Sequence, residues 1–232
     1  MTQAFKLKEI VDAYVQKVSG LKEHCDRCLK TERWGGSVVL MIVDAAFTSI
    51  GLNYFTAVVP KVEVFRRLFV EDGRIASLRA LAGANIEELV KVWKNRRSWL
   101  VAKGAAAYLS TLSDDDKTAL RTWASNAKLE AWRKDPVGKI KGVGLVTFQY
   151  LRMMGGVDTV MPDKIVKRVI NEIFVKAGLT PINDDMVFIK KVEEIAPKCG
   201  YRPIELCWMT WFIQSEGKRV RLEKYSELLS RI

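Results

Sequence analysis

The sequence predicts an all-α protein, and three observations lead to this fold class. Apolar residues recur at helical spacing along nearly all of the 232-residue chain, as they do when one face of each helix packs on a core. No stretch alternates between apolar and polar residues, so we expect almost no sheet. The chain is 49% hydrophobic, which excludes a disordered protein and suffices for one large or two small domains.

Four helical segments are predicted in the first part of the chain. Gly20 ends the first of them, and Trp34-Gly35-Gly36 precede the third. The third is strongly apolar and contains Asp44, so we expect a buried helix. Pro60 lies inside the fourth, which must therefore form two helices or one kinked helix. The segments span residues 5–18, 21–29, 37–50 and 52–70.

Short helices are predicted through the middle of the chain. Residues 74–112 repeat the apolar spacing of short helices that pack around a core. Ser113 is predicted to be the N-cap of the next helix, because residues 114–116 are all aspartates and acidic side chains favour a first turn. This helix is predicted to run to about residue 129.

Three helices are predicted in the last third of the chain. Asp163 begins a basic, amphipathic helix at residues 164–176, which Gly178 ends. The loop at residues 180–185 is expected to cap the following helix. Residues 200–217 are rich in aromatic side chains and are predicted to form a buried helix.

The charge of the chain favours a polyanionic partner. The formal net charge is +11 and the sequence pI is near 9.5, although many basic proteins never bind nucleic acid. Residues 1–17 are charged throughout and do not resemble a signal peptide. The most apolar run, residues 38–47, is too short to span a bilayer. We therefore expect an intracellular protein of the cytoplasm or nucleoid with no membrane partner.

The four cysteines do not form a recognisable metal-binding motif. Cys25 and Cys28 lie beside His24, which is the only histidine. Cys199 and Cys207 would have to supply further ligands, but their spacing matches no compact zinc module. We expect reduced thiols and no metal cofactor.

A glycine-containing loop at residues 141–144 lies between two segments of helical character. Glycines two positions apart allow a sharp turn that exposes backbone N–H groups. The following helix begins at this turn and ends near residues 155–156, and its N-terminus can bind a phosphate. The predicted phosphate-binding residues are Lys139, Lys141, Gly142, Val143 and Gly144.

This region resembles the helix-hairpin-helix DNA glycosylases, the endonuclease III superfamily. The resemblance rests on residues 140–144, on Thr147-Phe148, and on an aspartate followed by Lys167-Arg168-Val169. The family pattern reads Leu-Pro-Gly-Val-Gly-x-Lys-Thr-Ala, then an apolar helix, a short connector and Val-Asp-Thr-His-Val-x-Arg-Val. The resemblance is clear over residues 34–176 and looser in the C-terminal helix.

Asp163 occupies the position of the family's catalytic aspartate. Asp158 reproduces the letters Val-Asp-Thr, but Pro162 would stop the helix that the motif requires. The connector before Asp163 is slightly shorter than the usual family spacing. Asp163 also suits a helix N-cap, and the two roles can coexist. The resemblance further implies that Lys164, Lys167 and Arg168 bind DNA.

The resemblance implies two helical lobes with a helix-hairpin-helix motif and a DNA-binding cleft between them. One lobe would comprise residues 34–160, and residues 1–33 with 161–232 would form the other. Members of the family often carry an iron–sulfur cluster, but the spacing of Cys199 and Cys207 does not match it. Hairpin carbonyls in the family can hold a monovalent cation, which the sequence leaves open here.

The implied activity is base-excision repair. Such an enzyme flips a damaged or mismatched base out of double-stranded DNA and hydrolyses its N-glycosidic bond. A carboxylate stabilises the positive charge that develops on the sugar, and Asp163 is the candidate. Val146 stands where bifunctional members place a lysine, so we expect a monofunctional, monomeric enzyme that leaves an abasic site. Weak lyase activity from Lys139, Lys141 or Lys164 remains open.

The sequence does not identify the excised base. Alkylated purines, deaminated bases, mismatched thymine or uracil, and oxidised guanine all remain open. The family inserts side chains from a loop that corresponds to residues 48–54. Three further conceivable pocket residues lie elsewhere in the chain: Gln149, Trp208 and Trp211. The candidate pocket or wedge residues are Ser49, Asn53, Tyr54, Gln149 and Trp211.

Two other interpretations of the sequence remain. In the first, the protein is a non-catalytic helix-hairpin-helix DNA-binding protein, whose hairpin grips phosphates while Asp163 serves only as a helix cap. The second is an RNA-binding or protein-binding helical domain, which would leave Gly142 and Gly144 unexplained. A pure DNA binder should tolerate Asp163→Asn, whereas a glycosylase should keep binding DNA and lose turnover.

Overall fold

The computed structural model describes residues 3–48, 53–216 and 232 of the chain. Within these ranges all regular secondary structure is helical and no strand occurs, so the predicted all-α class is confirmed. None of the helices in these ranges is both long enough and apolar enough to cross a membrane.

Twelve α-helices account for most of the described residues. Two short π-helical segments, Tyr54–Val58 and Arg66–Val70, lie on either side of α4. The α-helices are α1 (Gln3–Val15), α2 (Leu21–Leu29), α3 (Val38–Thr48), α4 (Val59–Phe65), α5 (Leu78–Gly83), α6 (Ile86–Val92), α7 (Arg96–Leu109), α8 (Asp116–Asn126), α9 (Leu145–Met154), α10 (Lys164–Lys176), α11 (Asp185–Lys198) and α12 (Pro203–Glu216).

The chain divides into two compact units. Unit 1 comprises residues 1–29 and 158–232, and unit 2 comprises residues 30–157. Unit 1 is therefore built from both terminal segments, whereas unit 2 is one continuous stretch. The boundaries expected from the resemblance, at residues 34 and 160, fall within a few residues of these divisions.

Unit 1 is organised around α10 and α12. Helix α10 packs against α1 and α12, and α12 also contacts α2 and α11. The bounds of α10 agree with the predicted helix at residues 164–176, because Asp163 caps its first turn and Gly178 follows its end at a φ of +79°. The buried side chains of α10 form one face, as its amphipathic sequence predicts: Val166, Val169, Ile170, Ile173 and Phe174.

Unit 2 is organised around α3 and α7, which pack against each other. Every residue of α3 is buried, as the apolar run predicts. The indole of Trp99 on α7 is fully buried and donates a hydrogen bond to the backbone carbonyl of Trp93 at 2.9 Å. Phe47 on α3 stacks on Trp93 with ring centroids 4.6 Å apart. These aromatic contacts form the centre of the core of unit 2.

A fully buried ion pair lies in the same core. Asp44 Oδ2 accepts hydrogen bonds from Trp34 Nε1 at 2.8 Å, Tyr54 Oη at 2.9 Å and Tyr150 Oη at 3.0 Å. The guanidinium of Arg33 lies 3.4 Å from the same oxygen and donates hydrogen bonds to both phenols. Trp34 reaches this site from a left-handed backbone conformation, with φ of +54°, which is unfavourable for a bulky residue.

The phenols of this cluster give a prediction for alkaline pH. Burial raises the pKa of Tyr54 and of Tyr150 above the usual value of 10.0; Arg33 opposes this shift and Asp44 adds to it. The unfolded chain ionises these phenols first, so the free energy of unfolding falls as the pH rises above about 10. We expect a spectrophotometric titration to show that both phenols ionise only on unfolding. Ionisation of all six tyrosines near pH 10 in the folded protein would contradict the buried cluster.

Both predicted ends of α8 need correction. Ser113 is not the N-cap of α8, because Asp115 occupies that position and accepts a hydrogen bond from Thr118 N at 2.7 Å. The hydroxyl of Ser113 instead accepts a hydrogen bond from Asp115 N at 3.1 Å, and Ser113 lies two residues before the N-cap position. Helix α8 ends at Asn126 rather than near residue 129, because Ala127 is extended.

For the segment with Pro60 the sequence predicts two helices or one kinked helix, and the structure shows one nearly continuous helical run. The run passes from the first π-helical segment through α4 into the second. Pro60 lies at the junction of the first π-helical segment and α4, where its missing N–H removes one donor from the run. The proline nevertheless does not break the run.

Candidate functional site

The chain before the glycine-containing loop is not an α-helix, contrary to the prediction of helical character on both sides. Between α8 and α9 the described residues form a 3₁₀ turn at Leu129–Ala131 and a series of turns at 132–142. Pro136 lacks a backbone donor, and the backbone passes very close to itself at Gly138. A Cβ at Gly138 would lie only 1.7 Å from the carbonyl oxygen of Trp132. This close approach excludes a regular helix.

The two glycines of the loop have different structural roles. Gly142 has a φ of +108°, and a Cβ there would lie 2.9 Å from Val101 Cγ2 and 3.0 Å from Arg97 Nε. Only glycine suits both the conformation and the space. Gly144 has an ordinary φ of −104°, and no atom lies within 4 Å of the position of its missing Cβ. Gly142 is therefore the residue that makes the turn possible.

Gly144 is the N-cap of α9 and has no side chain with which to cap it. The first backbone N–H groups of α9 therefore lack a side-chain acceptor, and the positive end of the helix dipole points into the loop region. Lys139 and Lys141 are exposed and form no ion pair with the residues that the structure describes. This arrangement of donors and positive charge can bind an anion such as a phosphate.

Helix α7 holds the loop in place through one of its faces. Val101 and Arg97 contact the loop at Gly142, as described above, and Gly104 lies against the side chain of Ile140. A Cβ added to Gly104 would come 3.1 Å from Ile140 Cγ2. These three α7 positions follow helical spacing, so they share a face.

Arg97 is a candidate functional residue that sequence reasoning missed. Its side chain is exposed and has no ion-pair partner in the described part of the chain, and its Nε lies against Gly142. The neighbouring Arg96, in contrast, pairs with Glu87 at 2.5 Å. Nothing in the local sequence distinguishes the two arginines, because their environments differ only through the packing of α7 on the loop.

Asp163 caps α10 in unit 1. Its Oδ1 accepts a hydrogen bond from Ile165 N at 2.7 Å, and its backbone is extended. The side chain is partly buried, and its second oxygen accepts no hydrogen bond from a described residue. Asp158 has a different local role, because its Oδ1 accepts a hydrogen bond from Ile204 N at the start of α12, at 3.0 Å.

The basic residues of α10 differ in their surroundings. Lys164 is exposed and makes no ion pair with described residues, and Arg168 is also exposed. Lys167 donates hydrogen bonds to the carbonyl of Asn183 and to Asp185 Oδ1, the latter at 2.6 Å. Lys167 therefore joins α10 to the start of α11, and contact with DNA would require it to leave these partners.

The predicted pocket residues lie in unlike environments. Ser49 is outside the described residues. Tyr54 is buried in the Asp44 cluster, and Gln149 and Trp211 are also buried. Asn53 is exposed, and its side-chain oxygen caps the π-helical segment that follows it. Of the four described candidates, only Asn53 presents its side chain at the surface.

The four cysteines are buried thiols. Burial raises the pKa of Cys25, of Cys199 and of Cys207, which disfavours the thiolate. Among the residues at 3–48, 53–216 and 232, no three His, Cys, Asp or Glu side chains are grouped so that they could hold a metal ion.

These observations define an all-α protein of two helical units, with an uncapped helix N-terminus at a glycine loop in unit 2 and a capping aspartate on α10 in unit 1. The chain belongs to the family described as Domain of unknown function (DUF8548), whose model matches residues 9–215. No curated protein matches the chain, and no solved structure matches it either.

Proposed function

We propose that the protein is a monofunctional DNA glycosylase of base-excision repair. The observation that carries the proposal is the loop at residues 141–144, where Gly142 turns the chain and Gly144 leaves the N-terminus of α9 uncapped. We infer the type of reaction from the resemblance of this loop and of Asp163 to the helix-hairpin-helix glycosylases. The surplus of basic residues, +11 in formal charge, supports a polyanionic substrate.

In the proposed complex, one DNA phosphate lies at the N-terminus of α9. Backbone N–H groups of the helix bind its oxygens, and Lys139 and Lys141 add favourable charge. Such contacts position the duplex without reading its sequence. This suits an enzyme that must search many undamaged sites for a lesion.

Asp163 is proposed to act on the sugar of the flipped nucleotide. As the glycosidic bond breaks, positive charge develops on the sugar, and a nearby carboxylate stabilises it. The capping hydrogen bond from Ile165 N occupies Oδ1 and fixes the side chain. The second oxygen remains available for the developing charge or for an attacking water.

Val146 supports the monofunctional assignment. It lies in the first turn of α9, two residues after Gly144, where the bifunctional relatives carry a lysine. An isopropyl group cannot attack the sugar to form a Schiff base. The proposed product is therefore an abasic site in an intact strand.

The proposal is tested with duplex oligonucleotides that each carry one lesion or mismatch. The panel contains alkylated purines, deaminated bases, thymine or uracil mismatches, and oxidised guanine. We expect strand cleavage only after alkali treatment, and only for one class of lesion. If no duplex in the panel yields an alkali-labile product, the enzymatic assignment is wrong.

A non-catalytic DNA-binding protein is the second candidate. The hydrogen bond from Ile165 N to Asp163 favours it, because capping alone explains why an aspartate occurs at this position. This candidate predicts salt-dependent binding of duplex DNA without base release. It becomes the better account if the lesion panel gives no product while DNA binding is retained.

Arg97 gives a separate prediction for DNA binding. We expect Arg97→Ala to weaken duplex binding and to reduce the slope of log affinity against log salt by about one, because one phosphate contact is lost. Fluorescence anisotropy at several salt concentrations measures this change. Arg96→Ala is the matched control, since Arg96 lies next to it and already pairs with Glu87. Equal losses in both variants would exclude a specific role for Arg97.

A further inference from the structure

A surface groove of about 390 Å³ lies in unit 2, away from the residues assigned to the proposed function. It is formed by α4, the second π-helical segment and α6. Its volume falls within the usual range of ligand-binding clefts, roughly 300–1,000 Å³. Its walls include Lys61, Val64, Leu68, Phe69, Lys91 and Val92.

The floor of the groove is apolar and partly open to solvent. Leu68 is 48% exposed, although it lies in a segment whose neighbour Phe69 is buried. The segment is a π-helix, Arg66–Val70, and such local widening of a helix is frequent at functional sites. Val64 is partly buried and Val92 is buried. The groove therefore offers an apolar surface that a partner can cover.

The free charges at the rim of the groove are positive. Lys61 and Lys91 are exposed, and neither has an ion-pair partner among the described side chains. Arg74 and Glu88 also line the groove, but both are already engaged. Arg74 stacks on Phe69 at 4.5 Å and pairs with Asp72 at 2.6 Å, and Glu88 pairs with Arg74 at 3.6 Å. The groove thus combines apolar contact area with two ammonium groups that make no ion pair with the described residues.

We infer that this groove docks an acidic, amphipathic segment of a protein partner. An apolar side chain of the segment would cover Leu68, while its carboxylates would pair with Lys61 and Lys91. The phosphates of a nucleic acid could pair with the two lysines, but its backbone has no apolar group that would cover the floor of the groove. The inference is independent of the proposed glycosylase function, since it uses none of the same residues.

Selection of short peptides from a random display library tests the inference, with the full-length protein as the target. The library is first depleted on the Lys61→Glu/Lys91→Glu variant. We expect the enriched peptides to combine leucine or aromatic residues with aspartate or glutamate. A synthetic copy of one such peptide should bind the wild type at least about tenfold more tightly than it binds Leu68→Glu.

Matched variants control for general effects of the substitutions. Leu100→Glu changes a leucine of similar exposure, 51% against 48%, and Lys117→Glu reverses the charge of an exposed lysine on α8. Both should bind the peptide as the wild type does, and circular dichroism should confirm that all variants are folded. The inference is overturned if enriched peptides lack acidic residues or bind Leu68→Glu unchanged. Competition by duplex DNA or by anionic phospholipid vesicles would also overturn it.

Discussion

Asp163→Asn is expected to reduce base release by about a hundredfold to a thousandfold, because the group that stabilises the developing charge is neutralised. Duplex binding should change little, since asparagine removes no positive charge from the protein. Asparagine is also as good an N-cap as aspartate, so α10 should remain intact. Single-turnover assays on the substrate found in the lesion panel measure the rate, and anisotropy measures the affinity.

Asp184→Asn provides the matched control for this substitution. Asp184 caps α11 in the same unit, and its Oδ1 accepts a hydrogen bond from Val187 N at 2.9 Å. Like Asp163, it caps the first turn of its helix through Oδ1, although it accepts from the N–H three residues on rather than two, and it has no proposed catalytic role. The control variant should keep full activity. If Asp163→Asn keeps its activity as well, Asp163 is only a helix cap and the catalytic residue lies elsewhere.

Arg33→Met is expected to destabilise the protein by about 3–5 kcal/mol, because it leaves Asp44 as an uncompensated buried charge. Both side chains of the ion pair are fully buried. Methionine can fill much of the volume of the arginine, so the loss should come chiefly from electrostatics rather than from a cavity. Urea denaturation followed by circular dichroism measures the change in the free energy of unfolding.

A double variant separates the charge effect from packing. When Asp44→Asn is added to Arg33→Met, no ionised group remains in the cluster. Asp44→Asn should therefore lower the free energy of unfolding far less in this background than it does in the wild type. If the double variant loses the sum of the free energies that the two single variants lose, packing rather than charge dominates the contribution of the cluster to stability. A loss below about 1 kcal/mol for Arg33→Met alone would contradict the buried ion pair, since that is the range of exposed pairs.

The parts of the fold that follow from local chemistry could be predicted from the sequence. The bounds of α10 were predicted because Asp163 accepts a hydrogen bond from its own first turn and Gly178 adopts a left-handed conformation. The predicted short helix at residues 21–29 agrees with α2, which begins directly after Gly20. In both helices the signals that fix the ends lie within a few residues of the ends themselves.

The parts that depend on distant contacts could not be predicted. Asp44 was recognised inside an apolar helix, but its partners Arg33, Tyr54 and Tyr150 come from three other segments. The sequence alone makes Tyr54 a candidate pocket or wedge residue, whereas the structure places its phenol in the core of unit 2. Arg97 was missed for the same reason, because its relation to Gly142 arises only when α7 packs on the loop.

The division of the chain has a consequence for its synthesis. Unit 1 requires residues 1–29 together with residues after 157, so its first two helices emerge from the ribosome well before their partners. At about 5–20 residues per second, the intervening stretch takes on the order of ten seconds to translate. Unit 2 is continuous and can acquire its core during that interval. We therefore expect unit 2 to fold first during translation, and unit 1 to close only when the C-terminal segment arrives.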